Sequence, residues 1–465
     1  MAVAVLLVTL ALSATISSQE VFENSTHICQ KCTCIDEARF TLDCQNQTFH
    51  NTIAEWPKHN VPLLATFSYN NIVHLEILPQ SDKVIDLVFS HCNIKSMDNG
   101  VFKAVRNVQF VDLSFNALTT EEIGPEKFKG PYNDTQYEPL NVNHLDISYN
   151  QIHSLPHNIF EHLKNLRQLN LEGNHFKVLD IPTQTALSSV IYLESLNLAN
   201  NELTELVGDA IKDLKHLKDI NLAYNKLNEV PETLSYVGNT LEFLNLNSNP
   251  IFEFTDESFL GVQSIIELTL TNLSRLTYVH ANTFSPIERL KILHLHSNIN
   301  LFSINSEAFG ARQGLKEMYL QDNALSTLSY NLTNWLTLDL LNLSGNQFYC
   351  TCDIYKIRHD LNQIITRDKD GPVCVDYITG NSKMLYELEE KDCEEEEYEF
   401  SYDPIIEKHY FLKKLLLTFI NEQKLQLCNT GVVQSDNKFY SLIDYQRGQK
   451  VHSRDIFKIG LPYRI

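Results

Sequence analysis

The chain has 465 residues, 43% of them hydrophobic and 20% charged, with 15 Gly and 14 Pro; this excludes collagen-like and broadly disordered classes and leaves a chain able to bury a large core. A formal net charge of -21 works against indiscriminate attraction to nucleic acid or anionic lipid, which call for a basic face. Length alone predicts about three domains of roughly 150 residues.

Residues 1–18, MAVAVLLVTLALSATISS, have the layout of a secretory signal peptide without a basic n-region, and the apolar run is too short for a comfortable span of about 20 residues. Cys29, Cys32, Cys34 and Cys44 follow in the order C-x-x-C-x-C and then C. Six Asn-x-Ser/Thr sequons, at Asn24, Asn46, Asn133, Asn272, Asn331 and Asn342, become glycosylation sites only in the secretory pathway. Together these features predict a secreted, extracellular glycoprotein in an oxidising compartment.

From about residue 55 a pattern Leu-x-x-Leu-x-Leu-x-x-Asn-x-Leu recurs, as LRQLNLEGNHF ending at Phe176, LESLNLANNEL ending at Leu203, LKDINLAYNKL ending at Leu227, LEFLNLNSNPI ending at Ile251 and LKEMYLQDNAL ending at Leu325. Its Asn position runs through Asn70, Cys92, Asn116, Asn150, Asn174, Asn201, Asn225, Asn249, Leu273, Asn298, Asn323 and Asn346, twelve turns in all. Each Leu-x-Leu predicts a short strand with alternate side chains turned inward, and the Asn amide can serve backbone groups where the chain turns away. One turn cannot bury its apolar side alone, so stacking is required. Phe102, Phe128, Phe160, Phe259, Phe284 and Phe309 form a second ladder of core aromatics under the convex side. The long step from Asn116 to Asn150 predicts an outward excursion over 119–141, and Leu273, with no side-chain amide, predicts local irregularity. Cys92, in an Asn position, reads as a buried structural thiol.

Behind the repeats stand Cys350, Cys352, Cys374 and Cys393, and then an acidic block from Glu387 to Glu399. Leu412, Leu415, Leu416 and Phe419 fall on one face of an amphipathic helix. The most apolar late stretch, Tyr410 to Ile420, carries Lys413 and Lys414, so no transmembrane span is expected, and neither is a terminal lipid anchor. Cys428 is left over, either as a free thiol or as the link of a disulfide-bonded dimer.

These motifs resemble the extracellular leucine-rich repeat family, with typical repeats of about 24 residues, over roughly residues 55 to 350. The resemblance implies an α/β fold: a leucine-rich repeat solenoid, a curved horseshoe with a parallel concave sheet, about twelve repeats and disulfide caps. The division it implies is 1–18 signal peptide, 19–54 N-terminal cap, 55–349 repeats, 350–393 C-terminal cap and 394–465 acidic segment plus amphipathic tail. Four cysteines alone allow three connectivities; the resemblance implies Cys29 with Cys34, Cys32 with Cys44, Cys350 with Cys374 and Cys352 with Cys393. The C-terminal cap departs from the family in lacking a tryptophan after its second cysteine, with Tyr355 and Ile357 nearby.

In such proteins the residues between the leucines of the concave strands face the partner. Among those positions Phe243, Glu267, Ile292, His294, His296, Glu317, Tyr319 and Gln321 form the most distinctive patch, aromatic groups beside convergent polar ones. Its two histidines beside two glutamates are also residue types that bind zinc or sense acidity, although neither a metal nor a cofactor is expected. The column Asn170, Asn197, Asn221 and Asn245 suits carbohydrate or polar peptide, or is equally a habit of the family. No Gly-rich phosphate loop, GxSxG elbow or HExxH motif occurs, so an enzyme is not expected. The expected function is binding of an extracellular protein partner in adhesion, ligand sequestration or receptor signalling. The alternatives are soluble innate-immune recognition of microbial glycans or lipopeptides, and a purely structural matrix role.

Overall fold

The computed structural model describes residues 27–310, 314–361, 371–376 and 379–393. The leader, the sequon at Asn24, the amphipathic helix and Cys428 lie outside these residues. Among the described residues one 14-stranded sheet dominates, with its strands in chain order. Its first two strands, Thr33–Asp36 and Phe40–Asp43, form an antiparallel pair. Parallel strands follow from Leu63–Thr66 to Leu340–Asn342. The protein is a leucine-rich repeat solenoid with disulfide-bonded caps.

The alternation in sequence accounts for the sheet. The middle residue of each short strand, including Leu145, Leu196, Ile220, Leu268 and Leu293, is buried while its neighbours reach the surface. Burying one such side chain contributes about 2 kcal/mol. Because the strands are only three residues long through most of the sheet, each buries its apolar side mainly against the repeats before and after it.

The Asn ladder closes the turns. Asn225 donates through Nδ2 to the carbonyls of Leu198, Leu222 and Ala223 at 2.9, 3.0 and 3.2 Å, and its Oδ1 accepts from the Leu203 N–H at 3.1 Å. Asn150, Asn174, Asn201 and Asn249 make the same set. Cys92 substitutes through a weaker donor, its thiol bonding the Phe67 carbonyl at 3.0 Å, and it is a free, buried cysteine. At Leu273 the side chain goes into the core, and its backbone N–H bonds Asn298 Oδ1 at 2.7 Å. The residue before the ladder position is left-handed in every repeat, and also at Asn46 in the cap, with φ between 50° and 69°.

The phenylalanine ladder is buried, with Phe102 against Phe128 at 6.1 Å and Phe284 against Phe309 at 4.9 Å. The excursion after Asn116 loops outward only in part, which corrects the expectation for 119–141. Ile123, Phe128 and Leu140 are buried, because the extra residues carry apolar side chains that rejoin the core through two short 3-10 turns, Thr120–Glu122 and Pro125–Phe128. The segment around the Tyr132–Tyr137 bridge stays outside, and it holds the exposed Asn133.

At the ends, Cys29 is bonded to Cys34, Cys32 to Cys44 and Cys350 to Cys374, with Cα separations of 5.5, 4.6 and 5.0 Å. Cys352 is also disulfide-bonded; the side chain of Cys393 lies outside the described residues. A helix over Cys352–Asp360, capped by the Thr351 hydroxyl, buries Ile354 and Ile357. No helix among the described residues is long and apolar enough to cross a membrane.

Candidate functional site

Parallel register sets the candidate residues in two rows across the solvent-facing side of the sheet. Phe243 is opposite Glu267, Glu267 opposite Ile292 and Ile292 opposite Glu317; Thr269, His294 and Tyr319 form the next row. Adjacent strands are about 4.8 Å apart, so the four strands make one continuous surface. His296 and Gln321 follow two residues beyond the second row, just past the strand ends.

The polar members are tied to one another. His294 Nε2 lies 3.1 Å from Glu267 Oε1, and its ring stacks on Tyr319 with centroids 4.6 Å apart and planes at 14°. The Tyr319 hydroxyl donates to Glu317 at 2.8 Å, and that bond to a carboxylate pushes the phenol pKa up. His296 meets His294 edge-on at 6.1 Å; burial, with the adjacent imidazole, holds it below the usual imidazole range. Gln321 Oε1 is buried without a hydrogen-bond partner. Phe243, by contrast, keeps 42% of its surface exposed on a strand where neighbouring apolar groups point inward. The arrangement is an open aromatic face beside a fixed ring pair and two carboxylates. Among the described residues no group of three His, Cys, Asp or Glu side chains could hold a metal ion.

The asparagine column also serves its own backbone. Oδ1 of Asn170, Asn197, Asn221 and Asn245 accepts from the backbone N–H two residues on, at 3.1, 3.0, 3.1 and 2.9 Å, closing the strand end. Nδ2 of Asn170 and Asn197 donates to Asp146 and Glu172. Asp112 takes the same position, and burial, together with the charge of Asp146, pushes its carboxyl up.

Sequence reasoning missed a second concave feature, a cleft of about 310 Å³ lined by Asp86, Phe110, His144, Arg167, Gln168 and Glu194 among others. Arg39 from the cap pairs with Asp86, while Arg167 and Lys218 both pair with Glu194 and hold its carboxyl below the usual range. The signal was present in residues within each strand or just before it, but only the observed register brings them together.

The leucine rich repeat family matches residues 135–176 and 191–251. The chain is similar to chicken (Gallus gallus) Tsukushi, 26% identical over 253 residues, which are 50% of this chain and 65% of that protein. It is similar to human podocan-like protein 1, 29% identical over 212 residues, covering 44% of this chain and 39% of the relative. Human Toll-like receptor 2 is 23% identical over 348 residues, covering 67% of this chain and 40% of the receptor. The chain thus spans less than two thirds of each of these three relatives.

Proposed function

The chain is a cysteine-capped leucine-rich repeat protein, and from that premise we propose that it is a secreted, non-enzymatic binding protein that takes a protein partner on its concave sheet around Phe243, His294 and Tyr319. The observation that carries this reading is Phe243, a large apolar ring 42% exposed on a strand of the sheet, beside a polar cluster already fixed by its own bonds. Such a ring is stabilised when a partner covers it, and side chains held in place lose little entropy on binding. An interface of standard size needs about 800 Å² per partner, which this surface and its flanking strands can supply. Similarity to a protein named as a receptor, Toll-like receptor 2, supports a binding role in the same way.

The test uses the intact protein and its Phe243→Ala and Tyr319→Ala variants as bait on native extracellular fluid, followed by affinity measurement with whatever partner is retained. Removing a central aromatic contact costs about 2 kcal/mol, roughly a 30-fold loss in Kd. Unchanged affinity in both variants overturns this choice of surface. Similarity to Toll-like receptor 2 over 67% of the chain favours the second reading, immune recognition of microbial glycans or lipopeptides, and binding to isolated microbial surface material separates it from the first.

A further inference from the structure

On the surface edge of the N-terminal repeats four rings stand in one stack. Tyr69 lies on His91 with centroids 4.6 Å apart, His91 on Phe115 at 4.3 Å and Phe115 on Tyr149 at 4.2 Å, with planes at 25°, 14° and 6°. All four belong to the left-handed column, and each rung repeats one backbone bond to the next repeat: Tyr69 N–H to Ser90, His91 to Ser114, Phe115 to Ser148 and Tyr149 to Glu172. Equal backbones project equal side-chain directions, which aligns the rings. They are not core residues, since Tyr69 is 58% and Phe115 43% exposed.

The two ends of the stack differ. Beyond Tyr149 the column holds Gly173, where an added Cβ would come within 2.5 Å of the Tyr149 ring, so that ring is seated over bare backbone and its end is closed. Beyond Tyr69 the column holds Asn46, left-handed at φ 52° and bonded in the same way, its N–H donating to the Ser68 carbonyl at 3.0 Å. Among the described residues no ring covers the outer face of Tyr69, and the exposed Asn46 side chain makes no hydrogen bond. Asn46 begins the sequon Asn46-Gln47-Thr48.

We propose that an N-linked glycan on Asn46 completes this stack, its first N-acetylglucosamine lying as a fifth rung on the open face of Tyr69. The asparagine side chain plus the glycosidic bond carries a pyranose ring farther from its Cα than the phenol ring centre stands from its own, so the next rung sets the inner part of the sugar over the outer, hydroxyl-bearing part of the phenol. Neighbouring rungs are about 4.8 Å apart, the spacing at which the existing rings already stack. The equatorial substituents of this sugar leave its C–H bonds on the ring face, and those partly positive hydrogens meet the electron-rich face of the phenol. The glycan thereby shields the aromatic edge and fixes its own orientation beside the N-terminal cap. Among the described residues the other sequons lack this setting. Asn272 shares the column, but its neighbouring rungs are Ser248 and Ser297 and its amide donates to Asn247, and Asn133 is on the exposed excursion.

The experiment uses full-length protein secreted by a eukaryotic host fed isotope-labelled N-acetylglucosamine. Peptide mass mapping reads occupancy, and NMR reads the first-sugar protons, with Thr48→Ala assigning those of Asn46. The expected result is an occupied Asn46 whose sugar protons are shifted upfield from those at Asn133 by the Tyr69 ring current. The shift is lost in Tyr69→Ala and kept in Tyr69→Trp. An unoccupied Asn46, or sugar protons that coincide with those of Asn133 in the native protein, overturns the proposal whether or not the Tyr69→Ala variant folds.

Discussion

Replacing Asn225 with alanine tests the ladder that holds the repeats together. The side chain is 6% exposed and makes four hydrogen bonds, three through Nδ2 and one through Oδ1, reaching both its own turn and the preceding repeat. Alanine removes all four and leaves the Leu203 N–H without its acceptor. A buried group stripped of its partner costs about 1–3 kcal/mol, and the carbonyls that lose a donor add to that, so the expected destabilisation is about 3 kcal/mol. Urea denaturation followed by far-UV circular dichroism reads the change, with the m-value checked because stacked repeats can unfold in parts. Cys92 supplies the internal control, because nature has already placed a poor donor there. Cys92→Asn restores an amide at that rung and is expected to stabilise by about 1 kcal/mol. A loss below about 1 kcal/mol for Asn225→Ala, together with a destabilised Cys92→Asn, would refute the argument that these amides contribute net stability.

Two further predictions follow from burial of charge. Burial pushes the Cys92 thiol from its usual 9.0 up to about 11. The folded chain therefore holds this proton more tightly than the unfolded one: the stabilisation is fully present below pH 9.0 and is lost as pH rises towards about 11. Native protein at pH 8 should resist alkylation at Cys92 until denaturant is added, and ready labelling of the folded protein counts against the assigned burial. At Asp112 the pKa is raised, so the ionised carboxylate destabilises the fold. Asp112→Asn keeps an oxygen for the Ser114 N–H and should raise stability at pH 7 by on the order of 0.5 kcal/mol, a gain that disappears as pH falls through the carboxylate range. Melting curves of both proteins at pH 7 and at pH 3 decide the sign.

The repeat was legible because its information is periodic in one dimension: Leu145, Leu169 and Leu196 state the strand, the inward face and the register at once. The ring stack was not, although Tyr69, His91, Phe115 and Tyr149 each precede a ladder position. Their exposure removes them from any core pattern, and they meet across 22 to 34 residues, which matters only once the turns are aligned. Arg39 and Asp86 meet for the same reason, one from the cap and one from a repeat. For the four asparagines of the strand-end column, sequence gives the position but not the N–H that occupies each oxygen. The C-terminal helix, which lacks the family's tryptophan, is anchored by Ile354 and Ile357, both buried from adjacent turns.

The left-handed column carries a consequence for how this surface can change over generations. Thirteen positions along one edge, from Asn46 to Gly345, share a backbone setting that valine, isoleucine and threonine enter only with strain. Solvent exposure would ordinarily make such sites free to drift. Here the permitted alphabet is narrowed to glycine, asparagine, aspartate, serine and rings or imidazoles that neighbours can hold, so new specificity along this edge arises by exchanging aromatic and amide groups rather than by accumulating aliphatic ones.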